Sequence, residues 1–223
     1  MDIKEKTTLD AWRSALKFVK DKGNNFIDED KRICREVFNI YIEVLNPSKD
    51  VIKPIEIIEG FKKWFYPPLS EISNITLSKK LSPMYAYAYG PRIFAHNKKI
   101  DQINDFIIPL LKSNTTSRRA VVSIWMPDMD ASVEGKDMPG ILIIDFKLRK
   151  KKLNASMIIR SNDFFLGWPA NIYQTHILQK YVCDKLNVEA GFIGVFSTSA
   201  HIFKDKFEEI CSVIKSTHNK KKS

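Results

Sequence analysis

The chain has 223 residues, of which 44% are apolar and 28% charged, the composition of a globular domain. At that length roughly 70% of the unfolded chain's surface is buried on folding, so disorder as the main state, a collagen-like repeat and a disulfide-stapled scaffold are excluded. The 36 Lys and Arg against 26 Asp and Glu leave a formal net charge of +10, which favours anionic partners without choosing among nucleotides, nucleic acid and acidic surfaces.

In chain order, residues 10–22 predict an amphipathic helix on Trp12, Ala15, Leu16 and Val19, stopped by Gly23. Residues 24–31 read as a polar, acidic loop. Residues 37–45, rich in β-branched and aromatic side chains, predict a strand that turns at Asn46-Pro47. Residues 54–66 are helix-like and end at Pro67-Pro68, and the aromatic–alanine alternation of 84–89 breaks at Gly90-Pro91. A helix is expected over 101–111 with Pro109 near its end, then a short strand at 120–125 and a polar loop over 127–139. Strands at 141–148 and 153–159 flank the basic turn 149–152. The longest helical pattern covers 169–187, followed by a strand at 191–197, a helix at 203–216 and a lysine tail. With no repeat and no linker, the expectation is one domain over residues 1–223, of class α+β, with a disordered tail at 220–223.

Cys34, Cys183 and Cys211 are odd in number and widely spaced, so neither a disulfide framework nor a zinc site follows from them. No stretch has the pattern of a signal peptide or approaches about 18 apolar residues. A reducing cytoplasm is the expected location, and no membrane partner is expected.

Gly-rich phosphate loops, HExxH and GxSxG are absent. Asp128, Asp130 and Glu134 lack the spacing of a calcium loop and read as solvated. The basic turn and tail offer phosphate contacts to RNA, but no aromatic side chains are interleaved for base stacking. Arginines cluster instead at structural breaks: Arg32 before one strand, Ser117-Arg118-Arg119 before another, and Arg160-Ser161-Asn162-Asp163 after a third. Guanidinium forks held at strand ends are suited to gripping a phosphate.

The runs RSNDFFLGWPANIYQ (160–174), IDQINDFIIPLL with SRRAVVSIW (100–125), YAYGPRI (87–93), RICREVFNIYIEVLNP (32–47) and STSAHIF (197–203) resemble, in order, the thymidylate synthase family, in its short archaeal-type branch. The resemblance implies a three-layer α/β/α-like fold whose mixed sheet forms a dimer interface. It implies that Arg160 and Ser161, with Asn162 and Asp163 beside them, hold a nucleotide 5′-phosphate, that Arg32 closes over it, and that Arg118 and Arg119 reach it from the neighbouring subunit. Asn171 matches the asparagine on the pyrimidine edge, His201 the histidine on the sugar, and Asp163 the aspartate that meets the folate pterin. Trp168 is a candidate for lining the pterin pocket. Methylene-tetrahydrofolate, or another reduced pterin, is the implied donor.

In that family a cysteine thiolate adds to C6 of the base and so makes C5 nucleophilic enough to accept a one-carbon unit. The matching stretch here is Asp137-Met138-Pro139-Gly140-Ile141, with Gly140 at the nucleophile's position. Phe203 replaces the usual tyrosine of the sugar contact, and Ser199 stands where many members have aspartate. Cys34 is the one thiol expected near a site loop, while Cys183 and Cys211 read as core. The leading expectation is a homodimer that binds a dUMP-like nucleotide without the family's methylation. One alternative is C5 one-carbon chemistry with another nucleophile, Cys34 or water. The other is an RNA-binding interaction protein.

Overall fold

The computed structural model describes residues 1–134 and 137–216. Strand β1 (Asp2–Glu5) leads into helix α1 (Thr8–Lys22). Thr7 caps α1 by accepting the N–H of Asp10 at 3.1 Å, and Ala11, Trp12, Ala15, Leu16 and Val19 form its fully buried stripe. At the C-cap, a Cβ on Gly23 would stand 2.5 Å from the Val19 carbonyl and 3.1 Å from the Glu36 nitrogen. Only glycine lets the chain pass so close to its neighbours.

The expected loop at 24–31 is in part a strand. β2 (Asn24–Ile27) pairs antiparallel with β3 (Ile33–Val44), Asn24 opposite Glu36 and Ile27 opposite Ile33. Phe26 is half-buried and the other three residues are exposed, so no alternation marks the strand in the sequence. β3 starts four residues before the expected boundary at 37. Helix α2 (Lys53–Gly60) ends earlier than expected, before a left-handed Lys62 (φ 56°), and Pro67-Pro68 open an unforeseen helix, α3 (Leu69–Thr76). Gly90-Pro91 likewise begin α4 (Tyr89–Phe94) instead of a break; a Cβ at Gly90 would lie 2.1 Å from the Ile75 carbonyl. Over 101–111, Asp101 caps a π-helical turn at Gln102–Ile107, and α5 (Ile108–Ser113) carries Pro109 in its first turn, where a missing N–H costs nothing.

β4 (Val121–Ser123) is followed by the single turn α6 (Pro127–Asp130), inside the expected polar loop. β5 (Ile141–Arg149) and β6 (Lys152–Ile159) form the expected hairpin, with Lys150 and Lys151 both left-handed at φ 50° and 59°, the backbone of a two-residue turn that follows the sheet's twist. After β7 (Asn162–Asp163) comes α7 (Gly167–Leu186), closed by left-handed Asn187 at φ 53°. β8 (Glu189–Phe203) runs well past the expected strand, and α8 (Phe207–Lys215) starts after a 3₁₀ turn at Lys204–Lys206. The lysine tail lies outside the described residues.

The strands make one mixed sheet in the order β1-β3-β8-β6-β5-β4, with β2 added to β3 and β7 to β8. β1 runs parallel to β3, and β6 and β7 run parallel to β8; the other pairings are antiparallel. The class is α+β, the sheet flanked by helices of which α1 and α7 pack directly on it. Trp12 ties this layer together: its indole N–H donates to the Phe164 carbonyl at 2.7 Å, and its ring stacks on Phe165 at 6.0 Å. Among the described residues no helix is long and apolar enough to cross a membrane.

One irregularity positions the site. Asn39 is left-handed (φ 57°) in the middle of β3, a conformation asparagine tolerates better than most residues. On one side of it Ile40, Ile42 and Val44 are fully buried; on the other side, at the same parity, Phe38 is 70% exposed. The kink thus reverses which face of β3 meets the core, and it turns Glu36 and its cross-strand partner His201 into a cavity.

Candidate functional site

Arg160 and Ser161 sit at the bend between β6 and β7, and Ser161 borders one of the two cavities described below. Arg160 is half-buried and clamps the preceding loop: its Nε donates to the Pro139 carbonyl and an Nη to the Met138 carbonyl, both at 3.1 Å, while its backbone N–H donates to the Gly140 carbonyl at 2.9 Å. A guanidinium has five N–H donors, so this clamp leaves others for a ligand. Thr198 fixes the bend from β8 by donating its hydroxyl to the Arg160 carbonyl at 2.8 Å.

The first cavity, of about 260 Å³, is walled by Tyr66, Tyr85, Tyr87, Tyr89, Ile72 and Asn171. Asn171, only 9% exposed near the start of α7, accepts the Tyr89 hydroxyl at 3.4 Å. The same hydroxyl accepts the Ile141 backbone N–H at 3.5 Å. Burial pushes the Tyr89 phenol well above its ordinary pKa, and burial also raises that of Tyr87, so both rings stay neutral donors. Gly140 lies at this hinge: a Cβ built there would stand 3.3 Å from the Ser161 carbonyl, 3.7 Å from Ile159 Cγ2 and 3.8 Å from the Tyr89 hydroxyl. A Cβ there would press on the Ser161 carbonyl and lie in ordinary contact with the tyrosine that touches Asn171.

The second cavity, of about 380 Å³, is lined by Asp28, Arg32, Cys34, Glu36, Ser161 and His201, among others. Its charges are committed to one another. Arg32 pairs with Asp28 at 2.8 Å and with Asp30 at 3.3 Å, and its guanidinium lies 4.3 Å over the Phe203 ring. Ser199 donates its hydroxyl to Glu36. Burial, followed by the Arg32 charge, drops the His201 pKa to about 4, so its imidazole is neutral near pH 7. Burial, with the Asp28 charge behind it, lifts the Cys34 thiol to about 11. A thiol held protonated in this way is a poor nucleophile.

Asp163 follows the bend on β7, where burial raises its carboxyl to about 6 despite the Phe165 N–H that it accepts at 2.9 Å. Two expected site residues point elsewhere. Asn162 is buried, donating to the Ser197 hydroxyl at 3.0 Å, and its Oδ1 has no partner among the described residues. Trp168 is fully buried in the core, so packing at the start of α7 takes the place of a cavity wall. Arg118 and Arg119 are exposed just before β4. There Val121 pairs with Asp145, and Asp145 with Ser156, which precedes Arg160 on β6. These arginines therefore sit two strands away from the bend and toward the other end of the strands.

Among the other candidates, Cys183 is buried on α7 with its thiol raised by burial to about 11. His176 is buried against Gln179 at 3.3 Å. Asp130 forms a buried ion pair with Arg92, with contacts of 2.7 and 2.8 Å, which excludes a calcium role. Lys150 and Lys151 form a hairpin tip. No group that could hold a metal ion occurs among the described residues. Tyr89 and Glu36 lie inside the runs 87–93 and 32–47 without being among the expected site residues, and Tyr66 belongs to neither run.

Comparison with known proteins adds two findings. A family model described as thymidylate synthase matches residues 31–222. Relatives named "Putative thymidylate synthase" include one from Methanosarcina barkeri, 32% identical over 213 residues that cover 96% of this chain and 94% of the relative. Another, from Methanothermobacter marburgensis, is 30% identical with 92% and 94% covered, and one from Methanocaldococcus jannaschii is 28% identical with 92% and 91% covered.

Proposed function

Because the chain belongs to the thymidylate synthase family, we propose that it binds a pyrimidine nucleoside 5′-monophosphate of the dUMP type and does not carry out the standard methylation. The observation that carries this reading is Gly140: it stands beside Tyr89, whose hydroxyl donates to Asn171, at the position where the family's cysteine is expected, and has no side chain to add to a ring. In this reading the base enters the tyrosine-lined cavity, where the Asn171 amide can donate to O4 and accept from N3–H of uracil. The phosphate lies by Ser161 and the uncommitted donors of Arg160. Losing covalent capture costs the standard reaction many powers of ten, since C5 is then never activated.

A flat ring system suits the wall formed by Tyr66, Tyr85 and Tyr87. Asp163 lies close enough to Tyr66 for its charge to add to the burial that raises that phenol. These residues would hold a reduced folate, whose chemistry is to supply a one-carbon unit. Trp168 has no part in that contact.

The assembly we infer is a two-fold dimer built on the open face of the sheet. Tyr41, Phe196, Ile158 and Ile143 are successive cross-strand partners over β3, β8, β6 and β5, all half-buried, beside the exposed Phe38. An apolar row of this kind asks for a cover. A dimer there would let the partner subunit's Arg118 and Arg119 supply the positive charge that Asp28 and Asp30 take from Arg32. A single chain would hold residues 1–223 as one domain, working in a reducing cytoplasm. Calorimetric titration with dUMP and UMP tests the reading on dimeric, folded protein. Saturable binding is expected, and no heat from either nucleotide at millimolar concentration would contradict it.

A further inference from the structure

We propose that a third cavity, of about 850 Å³, is a binding site for a small amphipathic anion, an apolar body that carries a sulfonate, phosphate or carboxylate group. The inference stands apart from the nucleotide reading above. The cavity lies between the loop that follows α3, the stretch from α4 to Ile100, and the single turn α6. Its volume is that of a small-molecule site. Leu81, Ile100 and Met129, all exposed, meet there with buried Met126. Large apolar side chains left in water at one concave place mark a binding surface, and methionines adapt to apolar bodies of different shape.

The charges around it set the sign of the ligand. Among the described residues, Lys79, Arg92, Lys98 and Lys99 line the cavity against one acid, Asp128. Arg92 is taken by Asp130 and Lys79 by Asp101 at 2.9 Å, and among the described residues Lys98 and Lys99 have no acidic partner. These two stand on a turn that the backbone fixes. His96 and Ile100 exchange N–H to carbonyl bonds of 2.8 and 3.0 Å, and Asn97 and Lys98 are left-handed at φ 50° and 58°. An anion meeting them therefore pays little to order the backbone. A charged head at Lys98 and Lys99, with its apolar body over Met126 and Met129, satisfies both halves of the lining. Among the described residues the cavity shares just Tyr87 and Ala88 with the tyrosine-lined one, so it is a separate space with a common wall. Arg92 braces that wall, its guanidinium 5.6 Å over the Tyr87 ring.

The test is a fluorescence titration of the full-length protein with 8-anilinonaphthalene-1-sulfonate, and with N-phenyl-1-naphthylamine, the same body without the sulfonate. One saturable sulfonate site per chain is expected, and saturating dUMP should leave it occupied. Replacing both lysines, Lys98→Ala with Lys99→Ala, should weaken the sulfonate by about threefold to tenfold, the scale of two exposed ion pairs, and leave the uncharged compound unchanged. Met129→Glu should weaken the sulfonate by about tenfold, through lost apolar contact and a like charge. Lys150→Ala with Lys151→Ala removes the same charge at the hairpin tip and should change nothing. No saturable binding, displacement by dUMP, or equal losses in the two lysine pairs would overturn the inference. Self-association beyond a dimer that Met129→Glu abolishes would make a second copy of the chain the occupant, and would overturn it too.

Discussion

The tyrosine-lined cavity at Asn171 and the charged cavity at His201 are built in opposite ways. Around Asn171 the polar groups are few, buried and already joined in one chain running from Asn171 through the Tyr89 hydroxyl to the Ile141 N–H. Around His201 the groups are charged and partly open, and two of them are occupied by others: Arg32 by Asp28 and Asp30, Glu36 by Ser199. The polar groups of the first cavity are already fixed by one another. The second must exchange internal partners for ligand or for a second subunit, which lowers affinity unless the new contacts are better.

That contrast can be broken first at its support. Asp130 holds Arg92 through two contacts in a buried pair at the start of the loop that leads to Gly140. Asp130→Ala should cost about 3–5 kcal/mol in urea denaturation, because an unpaired guanidinium stays buried; a loss under about 1 kcal/mol would uncouple the base end from this clamp. Next, Asn171→Ala should weaken UMP and dUMP alike by about tenfold in calorimetry, the value of a buried hydrogen-bonding group. An unchanged affinity would place the base elsewhere.

The third prediction concerns pH. Asp163 titrates near 6 in the fold against 3.8 in the open chain, so its destabilisation grows as pH rises through that interval. His201 titrates near 4 against 6.5, so its destabilisation grows as pH falls through the same window. The slopes oppose each other. Asp163→Asn removes the first, and the variant should gain about 1 kcal/mol more than the parent between pH 4 and 6.5 in chemical denaturation. Parallel pH profiles would contradict the raised pKa of Asp163. Smallest of all, Arg32→Ala should change stability by less than about 1 kcal/mol and nucleotide affinity by less than about threefold, since its exposed guanidinium is already paired. A loss of affinity as large as that of Asn171→Ala would show that Arg32 leaves Asp28 to serve the ligand.

Strong periodicity made some of this structure readable in advance. The apolar stripe of α1 and the hairpin of β5 and β6 lie where their spacing puts them, because burial of one face dominates their energetics. Helix α7, buried nearly all round over its first turns, lies where its length of helical pattern puts it. β2 escaped because three of its four residues are exposed, and α3 because Pro67-Pro68 reads equally as an end or a start. The reversal at Asn39 has no local signature, yet it decides that Glu36 and His201 face a cavity. In the same way Arg160, Ser161 and Asn171 were legible as motif residues. The burial of Asn162 and Trp168, and the pairing of Arg32 with Asp28, depend on neighbours brought in by the fold.

The central claim is that this cleft holds a pyrimidine nucleotide with no nucleophile opposite C6. Tritium release from 5-tritiated dUMP and UMP, measured with methylene-tetrahydrofolate, tests it most directly in the wild type and in Gly140→Cys, whose Cβ would meet nothing closer than 3.3 Å. The account predicts no release above background by the wild type and measurable release by Gly140→Cys; turnover-scale release by the wild-type protein would contradict it.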